Sequence, residues 1–189
     1  MRRATSIAAA FAAAVSGPAM AAESYTIDPQ HSFPSFEVNH LGFATIRGSF
    51  YSMSGKIVLD PAGRTGSIDA SIDMSSVTTG YAKRDEHLKT DDFFDVAKYP
   101  TMTYKSTKLK YSGSKLIGVD GELTLHGVTK PVSLTITHFY CGTNPVMKKP
   151  ACGADATARI MRSDFGVSAF VPGISDEVKI AIGVEAFKD

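Results

Sequence analysis

The chain has only two cysteines and no tryptophan in 189 residues, and its 20 Lys and Arg nearly balance 19 Asp and Glu. Two cysteines are too few for a dense disulfide scaffold. Nine prolines without a Gly-X-Y period, beside 43% hydrophobic residues, exclude collagen and disorder. The near-neutral charge argues against nucleic acid, whose affinity comes mainly from clustered Lys and Arg neutralising phosphates. Lys105, Lys108, Lys110 and Lys115 look like a basic run, but they flank Tyr and Leu in strand-like sequence and read as a solvated sheet face. Also missing are His-x-His, His-Glu-x-x-His and Gly-x-Ser-x-Gly, so no common hydrolase or metalloprotease constellation is spelled out.

Long apolar runs are absent too. Ile7 to Val15 is unbroken but only 9 residues long, far short of the ~20 a membrane span requires. Arg2 and Arg3 precede it, Gly17 and Pro18 break it, and Ala19-Met20-Ala21 fits a small-x-small cleavage site. Residues 1–21 therefore read as a secretory signal peptide, and 22–189 as one mature domain with 18 basic and 19 acidic residues. Export places the protein in the periplasm or outside the cell, with no membrane segment left after cleavage. No cysteine precedes Cys141, which excludes a lipidated N-terminal cysteine. Cys141 and Cys152, in an oxidising compartment, are expected to bond. A metal reading would need more ligands than the nearby His138.

What the mature chain has is period-two alternation. Phe36, Val38 and His40 oppose Ser35, Glu37 and Asn39; Ile68, Ala70, Ile72 and Met74 oppose Asp69, Ser71 and Asp73. Met102 with Tyr104, Val119 with Leu123 and Leu125, and Val132 with Leu134 and Ile136 repeat the pattern. Val178, Ile180, Ile182 and Val184 end it. Further runs at Ala44 to Phe50, Met53 to Asp60 and Asp155 to Arg162 complete eight or nine strands, separated by short Gly/Pro/Ser turns that suit antiparallel neighbours. Thr79 to Ala97 breaks the pattern with helix-compatible spacing and predicts two short helices, the second capped by Thr90 ahead of Asp91 and Asp92. Strands of about 9 residues span roughly 30 Å, which favours a tilted barrel over a sandwich. The small residues Ala70, Gly121, Ala156 and Ala158 could leave a channel inside.

Several local strings go beyond periodicity: His31-Ser32, Val38-Asn39-His40-Leu41-Gly42-Phe43, Gly48-Ser49-Phe50, Arg84-Asp85-Glu86-His87-Leu88-Lys89, Phe93 to Pro100, Gly121 to Pro131 and Ser163-Asp164-Phe165-Gly166. In this order, from about Tyr25 to Phe187, the chain resembles the YceI-like, polyisoprenoid-binding family of secreted, lipocalin-like proteins. The resemblance implies an all-β fold, an extended antiparallel eight-stranded barrel capped by one or two short helices. Within it an apolar tunnel would hold a long lipid without catalysis. The lipid implied by the resemblance is a polyprenyl chain, an isoprenoid quinone or a similar long acyl compound, with no other cofactor or metal. The segment from Cys141 to Cys152 departs from the family pattern.

The inward faces nominate Phe36, Val38, Ile68, Ala70, Ile72, Met74, Met102, Tyr104, Val119, Leu123, Leu134, Ile136, Ile180 and Ile182 as tunnel lining. Arg84, Asp85 and His87 are candidates for a ligand head group at the mouth. For Arg84 and Asp85 the reading preferred to this is a surface ion pair or a tie between helix and barrel rim. His40 reads as a core histidine rather than a pocket group, and His126 as an exposed turn residue. Two other readings stand beside the lipid carrier. One is a small exported enzyme using the histidines or the helix Arg, Asp and His; the other is an interaction module or homodimer, which an exposed apolar patch would support.

Overall fold

The computed structural model describes residues 22–189; the expected signal peptide lies outside the described residues. The described residues form eleven strands and one α-helix: β1 (Glu23–Ile27), β2 (Phe33–His40), β3 (Ala44–Phe50), β4 (Met53–Asp60), β5 (Thr65–Asp73), β6 (Val77–Thr78), α1 (Ala82–Lys89), β7 (Thr101–Ser112), β8 (Lys115–Leu125), β9 (Val128–Thr143), β10 (Pro150–Met161) and β11 (Glu177–Lys188). All pairings are antiparallel. The ring β1-β4-β5-β7-β8-β9-β10-β11 closes because β11 returns to β1. Closure leaves the ring without an edge to aggregate on.

The barrel has eight staves rather than eleven, since three of them are each broken once. On β11, Lys179 to Gly183 pair with β2 and Ala186 to Lys188 pair with β1, so β1 and β2 form one stave interrupted at Asp28–Ser32. At the gap Ser32, fully buried, does a strand's work with its side chain. Its Oγ donates to the Glu185 carbonyl and accepts from the Glu185 N–H, both at 3.1 Å. This satisfies backbone groups that burial would otherwise strand. β3 and β4 break at Tyr51-Ser52, and β5 and β6 break at the 3-10 turn Met74–Ser76. The Ser76 hydroxyl accepts from both Tyr51 N and Ser52 N and so ties the two breaks together.

The staves bury the faces that alternation predicts. Val119 is 0% exposed, and Ile27, Ile72, Leu123 and Ile136 join it in the core. The lysines at 105 and 110 face outward and pair with Asp69 and Asp120. Cys141 and Cys152 are disulfide-bonded directly across β9 and β10, with Cα atoms 4.0 Å apart.

Two local expectations fail. Thr90 does not start a second helix; it ends α1, with its N–H and Oγ both donating to the His87 carbonyl at 3.1 and 2.8 Å. The chain then turns through Asp95, at φ +45°, and reaches β7 in turns, so Asp91 and Asp92 cap nothing. Gly121 opens no channel. A Cβ there would lie 2.4 Å from the Tyr104 ring, because that ring already fills the space. It is held over β8 by its Oη, whose single hydrogen is shared between the carbonyls of Val119 on β8 and Val132 on β9, at 3.2 and 3.0 Å.

Candidate functional site

The interior is divided along its axis. One end of the barrel carries the tight turns after β4, β7 and β9. The other carries α1, the Leu41–Phe43 turn, the Gly127 turn and the long connection from Arg162 to Asp176. These upper loops are joined to one another: Leu41 N donates to the Gly173 carbonyl, and Tyr99 packs on His126 with ring centroids 4.5 Å apart.

Beneath α1 lies a cavity of about 400 Å³; a second, of about 130 Å³, occupies the lower barrel. Pro34, Met102 and Ile180 line both and form the neck between them. Of the residues nominated from sequence, Phe36 and Val38 line the upper cavity. Ile68, Ala70, Ile72, Tyr104, Val119, Leu123, Leu134, Ile136 and Ile182 line the lower one, and Met102 and Ile180 lie at the neck. Met74 lines neither; it is 1% exposed, packed into the 3-10 turn.

The upper walls are aromatic. Phe36 and Phe50 lie 5.8 Å apart, and Phe50 and Phe94 5.9 Å. Phe93 stacks on Phe170 at 5.9 Å, with the His87 ring edge-on to Phe93, so these three rings screen the mouth. Gly48 exists for this packing, since a Cβ there would meet the Phe36 ring at 2.4 Å. The rim outside is apolar as well: Phe43 is 90% exposed, beside Leu41.

Arg84 and His87 line the upper cavity and Asp85 does not. Asp85 ties the helix to the rim, accepting from Thr79 N at 2.7 Å and from the hydroxyls of Thr78 and Thr79. Partial burial pushes its pKa up, but these bonds outweigh it and leave Asp85 below the usual carboxylate range. Arg84 is anchored to the same corner, donating from Nε to Thr79 Oγ1 at 2.7 Å and from Nη2 to the Thr79 carbonyl at 3.0 Å. His87 Nε2 lies 2.8 Å from Asp92 Oδ2. His40 is exposed at the lip of the cavity and bridges Ile174, so it is no core histidine: β2 ends there, at the turn into β3.

Sequence reasoning missed Arg162. It is 6% exposed, lines the upper cavity, and donates four hydrogen bonds to the backbone carbonyls of Val167, Ala169, Ile174 and Ser175 at 2.9 to 3.0 Å. It thus staples the long upper connection into place. Burial pulls its pKa below the ordinary arginine value, with Asp176 acting in the opposite sense. The adjacent Ser163-Asp164-Phe165-Gly166 string marked the location, but an arginine at a strand end does not announce burial. Phe93, Phe94 and Phe170 were missed as lining because they sit on turns, where no period reports a face.

A closed antiparallel barrel with a pocket of apolar and aromatic side chains defines a small lipocalin-like binding fold. The YceI-like domain family matches residues 25–186, and the chain belongs to that family. It is 38% identical over 172 residues to protein YceI of Salmonella arizonae, covering 89% of this chain and 88% of that one. The crystal structure of the YceI protein of Campylobacter jejuni superposes with a TM-score of 0.69 at 31% identity, over 80% of this chain and 90% of that chain. A polyisoprenoid binding domain from Saccharophagus degradans shares the fold, with a TM-score of 0.66 at 20% identity over 88% and 99% of the two chains.

Proposed function

We propose that this protein binds and carries a single long-chain lipid, isoprenoid or acyl, in the cavity beneath α1, without catalysing a reaction on it. The observation that supports this most is the cavity itself: about 400 Å³, walled by Phe36, Phe50, Phe94, Ile46, Ile160 and Val178, in a barrel whose other half narrows to about 130 Å³. Each buried CH₂ is worth ~0.8 kcal/mol, so fifteen offer ~12 kcal/mol before the cost of ordering the ligand is subtracted. Useful affinity therefore needs little from the head group. The polyisoprenoid binding domain of the same fold supports an isoprenoid chain.

The proposed site of action is the periplasm or the cell exterior. The basic start, short apolar run and small-x-small site within residues 1–21 support export, as does a disulfide between Cys141 and Cys152. Among the described residues no helix is long and apolar enough to cross a membrane.

Native mass spectrometry of gently purified protein, followed by organic extraction, tests the reading. The expected result is one long-chain lipid in near-stoichiometric amount. Protein that stays folded, carries no lipid and takes up none when offered prenyl and acyl chains would overturn it.

A further inference from the structure

The break between β1 and β2 gathers three side chains that the lipid cavity does not use. Asp28 and His31 lie within it, and Glu185 lies opposite on β11. The backbone fixes their placement. Asp28 N donates to the Glu185 carbonyl at 2.8 Å, and Ser32 Oγ bonds the Glu185 N–H and carbonyl from the other side of the gap. One ligand-type atom from each side chain, an imidazole nitrogen and two carboxylate oxygens, lies within 4.8 Å of the other two. On β11 Glu185 stands between Val184 and Ala186, which line the lower cavity, so its own side chain points out of the barrel. None of the three residues lines either interior cavity.

The surroundings set this cluster apart from a plain surface ion pair. The contact between His31 and Asp28, at 2.6 Å, accounts for two of the groups, and Asp28 is held further by accepting from Gln30 N at 3.0 Å. It leaves out Glu185, whose partly buried carboxylate has no hydrogen bond or ion pair among the described residues. His31 and Glu185 also border a depression of about 440 Å³ on the outer face, where Gly153 and Gly183 leave the floor without side chains. His138 and Asp155, partners across β9 and β10, line it too. No Lys or Arg does, so imidazole is the sole basic group set against its carboxylates.

We propose that Asp28, His31 and Glu185 bind one first-row divalent cation of the zinc type on the outer barrel wall, with water in the position that faces the depression. The imidazole disfavours calcium and magnesium, which take oxygen ligands, while the two carboxylates supply the compensating charge. Ligand atoms around a tetrahedral zinc stand roughly 3.4 Å apart. The observed spread closes by rotation of the exposed His31 ring and the Glu185 chain, without moving the backbone. The cation takes the place of the proton shared by His31 and Asp28, which is released to solvent. Bound there, it clips the break between β1 and β2 to β11, whatever the lipid cavity holds.

The test is calorimetric titration of chelator-treated protein with zinc, calcium and magnesium at about pH 7.5, where the ligands are free to shed protons. One zinc per chain is expected, at least tenfold tighter than either other ion, together with a rise in melting temperature. Glu185→Gln and His31→Gln should each weaken zinc tenfold or more, and their metal-free melts should stay near that of the parent because both side chains face outward. Paramagnetic cobalt(II) bound to the parent protein locates the site even if a variant fails to fold. It should broaden the amide signals of His31 and Glu185 and spare those of Phe93 and Phe170, beside the other His–Asp pair at His87 and Asp92. No zinc bound at about 100 μM would overturn the proposal. So would undiminished binding in both folded variants, equal affinity for calcium, or cobalt broadening centred on His87. None of these outcomes touches the lipid-binding reading.

Discussion

The two halves of the barrel are built on the same staves and hold opposite contents. Below the neck, the lining carries no charged residue and the interior narrows to about 130 Å³, with Tyr104 laid across Gly121 and hydrogen-bonded to two carbonyls. Above it, the cavity is three times larger, walled by rings from strands and turns and edged by two arginines and two histidines. The lower half holds most of the buried core around its narrow cavity, and that core stabilises the molecule by apolar burial. The upper half leaves apolar surface uncovered and is organised by polar ties at its margin, such as Asp85 to the β6 corner and Arg162 to its four carbonyls. Substitutions should separate stability from binding along this division.

The largest effect is expected in the lower half. Val119→Asp places a carboxylate at a position with no exposure, at a cost of several kcal/mol, and should leave no cooperative unfolding transition in urea. Next is the disulfide, which closes a short loop with a sequence separation of 11. Cys141→Ala with Cys152→Ala should cost up to about 3 kcal/mol by chain entropy. Lipid bound per folded molecule should not change, since Cys152 does not line the upper cavity.

A sharper comparison comes from adding the same ring to each half. Ala70→Phe overpacks the narrow lower interior and should lose ~1 to 3 kcal/mol while the folded fraction still carries lipid. Val38→Phe fills space in the upper cavity. It should cost less than about 1 kcal/mol and lower lipid content by tenfold or more, read by extraction from the two purified variants. Lipid lost from Ala70→Phe and kept by Val38→Phe would invert the assignment.

The lower half was legible in the sequence because alternation reports faces, and Ile68, Ile72, Val119 and Ile136 all point inward as predicted. Volume was not legible. Gly121 looked like open space, and only the cross-strand pairing shows that Tyr104 fills it. The upper half was legible mainly as resemblance. Phe93, Phe94 and Phe170 lie on turns without a period, and Thr90 carries an N-cap residue type but closes on the carbonyl behind it. His31-Ser32 was noted only as a string. Its physical basis, Ser32 replacing a missing strand pairing at Glu185, depends on where the stave breaks.

The smallest expected effect is at that same break. The hydrogen bond that His31 Nδ1 donates to Asp28 Oδ2, at 2.6 Å, raises the pKa of His31 above its ordinary value; slight burial works against this, and the charges of Asp28 and Glu185 add to it. The folded pKa being the higher one, the contribution is complete below about pH 6.5 and fades as pH rises through the folded value. His31 is exposed, so stability should change little. An NMR titration should give a midpoint above 6.5, and a midpoint at or below it would mean that the Asp28 contact does not form in solution.

The most direct test of the central claim is the position of the chain itself. Intermolecular nuclear Overhauser effects from a uniformly carbon-13-labelled acyl or prenyl chain should reach the methyls of Val38, Ile46, Ile160 and Val178, all of which line the cavity under α1. Contacts confined to Leu59, Leu109 and Leu116, in the lower barrel, would contradict the account.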